Sequence, residues 1–471
     1  MAADPLIPET RVLAIASHVA YGYVGNKMAT FVMQSLGCDV SAINTVHYSN
    51  HTAYKQVKGT KTTAQQIQDL YEGLQQSNLN NFDLLLTGYM PSAETVQAVG
   101  KIGRNLKFNA STKPGSFFWV LDPVMGDNGK LYIPEDEVPQ YKALLREADL
   151  ILPNQFEAET LSDIAITDLN SLAAAIQVLH NTYHVPHVII TSLRLTSDNQ
   201  TIPSRAPSRG ASSIPASSTP SNQYTPSESP ERNPETSQAS SVPPSSSTLF
   251  QLEPEPRATE EPENLTIIGS TATSDFTPRL FRIDTPQLPL FFSGTGDMFA
   301  ALTIPRLIEA VHACSTPGLS SIPSWRSPDD VPAQELPLAK ACQKVLASMQ
   351  SILAKTTEKC EKEMKVYDAR VEKEGCGQGD EAEEERQKRR HLALMKASEV
   401  VVVRYAKDLV DPPELEKFTP RRAEDGGALA SEGGKPKPDE LGVLKLGFGR
   451  TDEGAIQVIG QENKVDGASQ S

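Results

Sequence analysis

Short aliphatic and β-branched runs alternate along this chain with longer segments of helical period, and no other property narrows the fold as much. The runs are Val12 to Ala16, Val40 to Asn44, Leu84 to Leu86, Phe117 to Leu121, Leu150 to Leu152 and Val188 to Thr191. Between them, Asn26 to Leu36, Thr63 to Gln75, Ala93 to Leu106 and Leu169 to His180 place apolar residues at helical spacing. A connection long enough to hold a helix returns the chain parallel to the previous strand, and strands apolar throughout are covered on both faces. The expected fold is therefore α/β, a mostly parallel central sheet with helices on both faces. Leu265 to Ile268, Leu280 to Ile283 and Leu290 to Phe292 read as later strands, the last passing through a Gly-rich turn into a helix from about Asp297.

The whole chain cannot be core. Its 471 residues would ordinarily suggest two to four domains, but only 38% are hydrophobic and 35 are proline. From Thr196 to Glu263, Ser, Thr and Pro dominate, and too little apolar surface is available to offset the entropy of ordering; a disordered insertion is expected. Residues 355–395 carry alternating acidic and basic blocks, expected to form a charged, partly helical insertion. Residues 421–471 are Gly-rich and polar, expected to be a flexible tail. Setting these aside leaves 311 residues, one large domain in three pieces: 1–195, 264–354 and 396–420, the last holding a C-terminal strand.

The net charge of −15 disfavours a nucleic-acid or anionic-membrane partner. Five scattered cysteines with no C-x-x-C pair suit a reduced compartment. The first residues lack a basic flank and an apolar core, so a cytoplasmic chain, with the nucleus as a second location, is expected.

The sharpest chemical signal is F-F-S-G-T-G-D-M-F-A-A at 291–301. Gly294, Thr295 and Gly296 let backbone N–H groups face one point at a helix N-terminus, where the dipole favours an anion. Asp297 beside that point would repel a phosphate unless it has a task, and taking a proton from an attacking hydroxyl is a fitting one; the alternative is a helix cap. Polar groups also follow successive strands: Asp122 and Asp127 after the fourth, Asn154 and Glu157 after the fifth, Thr191 and Ser192 at the sixth. Carboxyl ends of parallel strands are where such sheets bind ligands, and acids with phosphate oxygens suit Mg²⁺. Ser17, Thr52 and Tyr89, near the ends of the first three strands, suit a pocket for a flat polar molecule. The pairs His47/His51 and His184/His187 have metal-ligand spacing, but a loop position for the first and a proline within the second argue against zinc.

With these residues in hand the sequence resembles the pyridoxal kinases of the ribokinase-like superfamily, in a fungal-type form with a long Ser/Pro-rich insertion. The matching stretches are S-H-V-A-Y-G-Y-V-G-N, S-N-H-T-A-Y, L-L-T-G-Y, D-P-V-M-G-D-N-G-K-L-Y-I-P-E-D, P-N-Q-F-E-A-E, I-I-T-S and G-T-G-D-M-F-A-A, in family order over residues 11–194 and 264 to about 354. Val400 to Glu414 looks like the family's last strand and its trailing Asp-Pro. The resemblance implies an ATP-dependent kinase for the 5′-hydroxyl of pyridoxal, pyridoxine and pyridoxamine, acting in vitamin B6 salvage as a homodimer. It implies that Ser17, Val24, His51, Thr52 and Tyr89 meet the vitamer and that Asp297 is the base. Gly294, Thr295 and Gly296 become the anion hole. Asn154, Thr191, Ser192, Thr295, Gly296 and Tyr132 in the flap meet ATP. Asp127 and Glu157 become Mg²⁺-associated acids, and Asp122 and Thr191 part of a site for a monovalent cation, K⁺ or Na⁺. Leu152 stands where some relatives have a threonine of that cation site. Both insertions are expected near the nucleotide. Rival readings are a same-fold kinase for hydroxymethylpyrimidine or a sugar, and a catalytically silent homologue with a regulatory role.

Overall fold

A computed structural model describes residues 6–193, 264–374, 380–423, 448–450 and 456–458. The expected disordered insertion, 196–263, lies outside them, as does most of the expected tail. The strands are β1 (Thr10–Val19), β2 (Cys38–Tyr48), β3 (Gly59–Lys61), β4 (Leu84–Thr87), β5 (Phe118–Leu121), β6 (Gly126–Asp127), β7 (Lys130–Leu131), β8 (Leu150–Ile151), β9 (His187–Leu193), β10 (Asn264–Thr271), β11 (Leu280–Pro286) and β12 (Arg421–Arg422). The helices are α1 (Gly25–Ser35), α2 (Ala64–Gln76), α3 (Ala93–Asn109), α4 (Glu137–Leu144), α5 (Gln155–Ser162), α6 (Leu169–Asn181), α7 (Thr295–Ala313), α8 (Pro337–Glu374), α9 (Asp380–Ala397) and α10 (Lys407–Val410).

Among the described residues, ten strands form one sheet in the order β12-β11-β10-β9-β8-β5-β4-β1-β2-β3, and β6 and β7 form a separate small hairpin. The centre, from β2 to β9, is parallel, and the margins β3, β10, β11 and β12 are antiparallel. All these elements lie in one compact unit ending at Gly426; a second unit beyond it holds an antiparallel pair, Phe448–Arg450 with Ile456–Val458.

Strand alternation sorts the core into two layers. Val12, Ala14, Leu84, Leu86 and Phe118 point to a face covered by Met28 and Val32 of α1, Met298 and Leu302 of α7 and Val345 of α8. Leu13, Ile15, Leu85 and Trp119 point to the other face, under Ile67 of α2, Val96 and Val99 of α3 and Leu172 and Ile176 of α6. Each such aliphatic side chain, once buried, contributes about 1.5–3 kcal/mol, which is why the runs take up strand geometry between helices. Helix starts are locally coded: Thr63 with Gln66, Asn154 with Glu157 and Asp168 with Ser171 form reciprocal caps.

Three expectations fail. Leu290 to Phe292 is not a strand; β11 ends at Pro286, and Pro286 and Pro289 have no N–H to donate to a ladder. The apolar residues there serve packing instead, Leu290 against Cys360 and Met364 of α8 and Phe292 against the main core, while Phe291 is exposed. Val400 to Glu414 is also not a strand. It turns and forms α10, with Val400 and Val402 buried and Val403 turned out. The last strand of the sheet is Arg421–Arg422, at the start of the expected tail, where Arg421 pairs with Asp284 of β11.

The described residues of 355–395 lie in two long helices, α8 and α9. Asp368 pairs with Arg390, and Lys359 donates to the Ala397 carbonyl at 3.1 Å, so α8 and α9 run antiparallel. The pair reaches the loop after β2, where His391 of α9 sits 2.8 Å from the Ala53 carbonyl. Among the described residues no helix is long and apolar enough to cross a membrane.

Candidate active site

The parallel strands all present their carboxyl ends to one edge of the sheet, and the predicted residues gather there because each lies at or just beyond such an end. Thr87 ends β4 and is followed by Gly88 and Tyr89; Asp122 follows β5, Asn154 follows β8, and Thr191 and Ser192 lie at the end of β9. The start of α7 is brought to the same edge from far along the chain.

Two glycines fix how closely these parts approach. Gly294, the residue before α7, has φ +83°, and a Cβ on it would stand 2.4 Å from the Tyr23 carbonyl and 3.0 Å from Val24 Cγ1. Gly25, which opens α1, has φ +53°, and a Cβ there would meet the Ser17 carbonyl at 2.0 Å and Ser17 Oγ at 2.3 Å. Only glycine fits either place, so Ser17, Val24 and the G-T-G turn are held in one cluster.

Asp297 is the third residue of α7, and Gly294 occupies the cap position without a side-chain bond, so the capping alternative fails. The carboxylate of Asp297 instead faces the backbone N–H of Gly25, from the first turn of α1. Burial raises its pKa, and that N–H pulls the other way. Two helix N-termini thus converge on one carboxylate, made more basic by its surroundings yet steadied by a donor.

Asp122 is buried, and its Oδ2 lies 3.8 Å from where a Gly296 Cβ would stand. Its pKa is raised first by burial, then by Glu157 and then by Asp297, which places Asp122 in the field of both acids. Glu157 is the most firmly held. Its Oε1 accepts the N–H groups of Met125 (2.9 Å) and Gly126 (3.4 Å), and its Oε2 accepts that of Asn154 (2.9 Å). Burial nonetheless pushes it up to about 8. Asn154 caps α5 and donates through Nδ2 to the Gly126 carbonyl at 2.7 Å, tying the helix start to the root of the β6–β7 flap.

Asp127 lies exposed on that flap, accepting from the Asn128 backbone at 2.7 Å, and Tyr132 just beyond it is exposed. Burial, followed by Asp127 and Glu157, raises the Tyr132 phenol. The Thr191 N–H donates to the Pro153 carbonyl at 3.0 Å, aligning β9 beside the Asn154 turn. Leu152 is buried in the apolar core and offers no side-chain oxygen.

On the other side, Tyr89 is half-buried and pushed up to about 12 by burial, then by Tyr48 and Glu137. Thr52 is exposed on a single turn, Thr52–Tyr54, and His51 just before it places Nδ1 3.2 Å from Ser293 Oγ. Sequence reasoning missed Gly25 and Ser293. Gly25 had a signal, a glycine opening an apolar helix directly after Val24; Ser293 had none beyond its place before the turn.

Among the described residues no group of three or more His, Cys, Asp and Glu is arranged to hold a metal. The arrangement suits an ion held by one or two acids together with substrate phosphates, the usual way with Mg²⁺. His47 lies on β2 rather than in a loop, and His187 engages Thr271 Oγ1 at 2.9 Å and the Ser324 carbonyl at 2.7 Å through its two ring nitrogens.

Residues 29–215 match a family model described as phosphomethylpyrimidine kinase. A Schizosaccharomyces pombe protein assigned to the pyridoxal kinases is 33% identical over 349 residues, covering 74% of this chain and 86% of that protein. This chain belongs to the pyridoxal kinase family. The human pyridoxal kinase is 42% identical over 194 residues, 40% of this chain and 61% of the human one. The structure of Leishmania donovani pyridoxal kinase in complex with ADP superposes with a TM-score of 0.56 at 25% identity, over 86% of this chain and 96% of that one.

Proposed function

We propose that this chain transfers the γ-phosphoryl group of ATP to the 5′-hydroxyl of pyridoxal, and of pyridoxine and pyridoxamine, giving the 5′-phosphates in B6 salvage. The observation that carries this reading is Asp297, a half-buried carboxylate of raised pKa, at the meeting of two helix N-termini and beside the anion-binding turn. Asp297 takes the proton of the hydroxymethyl group as its oxygen attacks the γ-phosphorus; the bond to the β-γ bridging oxygen breaks and ADP leaves. The N–H groups of Gly294, Thr295 and Gly296 receive the transferred group's charge.

Ser17, Val24, His51, Thr52 and Tyr89 hold the vitamer ring on one side. Asn154, Thr191, Ser192, Thr295, Gly296 and Tyr132 hold the nucleotide on the other. Asp127 and Glu157 would hold Mg²⁺ with the phosphate oxygens, the ion neutralising charge on the transferred group. Asp122 and Thr191 would serve a monovalent cation, with Leu152 contributing nothing from its side chain. Support comes from family membership and from the Leishmania neighbour, whose structure was determined with ADP.

The test is ATP-dependent formation of pyridoxal 5′-phosphate by the purified chain, run beside hydroxymethylpyrimidine and sugars. Phosphorylation of B6 vitamers at the highest kcat/KM is expected. The match to a phosphomethylpyrimidine kinase model favours one other reading, and preferential turnover of the pyrimidine alcohol would replace ours with it.

A further inference from the structure

We propose that Glu399, carried on the end of the α8–α9 hairpin, is a positioning residue for the vitamer side of the site, coupling the 49–54 loop to the anion-binding turn. This rests on the kinase reading for the meaning of that loop, but not for the contacts. Glu399 lies two residues beyond α9 and 345 residues from Tyr54, yet its Oε1 accepts the Tyr54 hydroxyl at 2.9 Å and stands 3.2 Å from His51 Nε2. The His51 and Glu399 side chains are only 10% and 12% exposed. A carboxylate so enclosed persists where donors face it, and here both donors come from one loop. Burial and then the Glu399 charge raise the Tyr54 phenol, so it stays a donor.

The link continues across His51. The ring stands between two side chains, its Nε2 3.2 Å from Glu399 Oε1 and its Nδ1 3.2 Å from the Ser293 hydroxyl oxygen. Ser293 is the residue before Gly294, whose left-handed backbone begins the anion-binding turn. The chain Glu399, His51, Ser293 therefore joins the hairpin to the place where the phosphoryl group arrives.

The hairpin supports the same two segments independently of Glu399. His391 of α9 binds the Ala53 carbonyl, and Leu290 packs on Cys360, Met364 and Ala397. The position of Glu399 is itself set from α8, by Lys359 to the Ala397 carbonyl and by Thr356 Oγ1, which accepts the Val401 N–H at 3.3 Å. Gly22 completes the fit, since a Cβ there would stand 2.7 Å from both Glu399 oxygens. A helical pair that reads as a charged surface excursion thus closes one wall of the site.

The test uses full-length Glu399→Ala, Glu399→Gln and Tyr54→Phe. Glu399→Ala is expected to raise the vitamer KM about tenfold with the ATP KM within about twofold, the scale of one lost charge-assisted bond network. Glu399→Gln, which keeps an acceptor for both donors, is expected to rescue most of that loss, and Tyr54→Phe to raise the vitamer KM about threefold. Amide exchange supplies a readout free of activity: in Glu399→Ala, residues 50–55 and 290–294 exchange faster while 154–157 keep their protection. Unchanged exchange there with a wild-type vitamer KM would overturn the proposal. So would faster exchange throughout with both KM values raised, the signature of a general fold role. If Glu399→Ala does not fold, Tyr54→Phe decides by the same two readouts. If the wild-type chain phosphorylates no vitamer, the kinase reading fails, and the exchange pattern still decides the coupling.

Discussion

The two sides of this site, proposed for the nucleotide and for the vitamer, are held by different kinds of contact. Around Glu157 the partners are backbone N–H groups of Met125, Gly126 and Asn154, fixed by a strand end and by a reciprocal cap whose two members are three residues apart. Around His51 the partners are side chains, Ser293 and Glu399, brought from distant parts of the chain onto an irregular loop. Backbone donors at element ends are rigid because the element is rigid. Side-chain relays depend on every packed piece between them. The first side is thus built for a constant ligand, a polyphosphate, and the second is open to adjustment by changes far from it.

The largest expected effect falls where the two sides meet. Asp297→Asn should lower kcat by about 10²-fold or more, because a neutral amide cannot take the hydroxyl proton, while ATP affinity stays close to wild type. Steady-state rates with nucleotide-binding titrations check it, and wild-type turnover would remove Asp297 as the base. Asn154→Ala should act on one side only. Loss of the cap should cost about 1–2 kcal/mol of stability and raise the ATP KM several-fold, leaving the vitamer KM unchanged; urea unfolding and paired KM measurements would show whether the two sides separate this way.

A change of pH sharpens the same contrast. Glu157 is pushed up to about 8 and Glu137 to about 7, both by burial, so the native chain keeps protons there that the unfolded chain has released. Raising the pH from 6.5 to 8 should therefore destabilise the ligand-free protein, by on the order of 1–2 kcal/mol. The buried His180 and His187, lowered to about 4 by burial, are neutral in the native chain across that window while unfolded histidine is still half protonated at 6.5, so each opposes the trend by about 0.4 kcal/mol without reversing it. Urea midpoints at the two pH values provide the measurement, and Glu157→Gln should flatten the trend. The smallest effect is expected at Tyr89→Phe, a vitamer KM raised about two- to threefold with ATP unaffected.

Legibility in the sequence follows the same division. The six strands from β1 to β9 that build the sheet's parallel centre announced themselves because each is an aliphatic run closed by a polar strand end, and both layers of the core need that pattern. Leu290 to Phe292 and Val400 to Val403 carry the same composition without the same fate, since tertiary packing against α8, α9 and the main core uses their apolar side chains and prolines deny the first a ladder. Arg421–Arg422 was illegible for the opposite reason: a two-residue edge strand of arginines has no strand pattern to read, and its pairing is set by β11. Asp122, Glu157 and Asp297 could be found from their places beyond strand ends and at a helix start. Glu399 could not, since no local pattern announces a contact so far along the chain.

The meeting of α1 and α7 at Asp297 also sets when the site can come into being. Met28 and Val32 of α1 share an apolar layer with Met298 and Leu302 of α7 and Val345 of α8, elements made some 270 residues later. During synthesis the first six strands can pair while that face of the sheet waits uncovered, so the nascent chain carries an exposed apolar surface and no base. Activity is therefore acquired only once α7 has been made, and a chain stalled before it presents chaperones with a layer of the sheet that α1 alone has begun to cover.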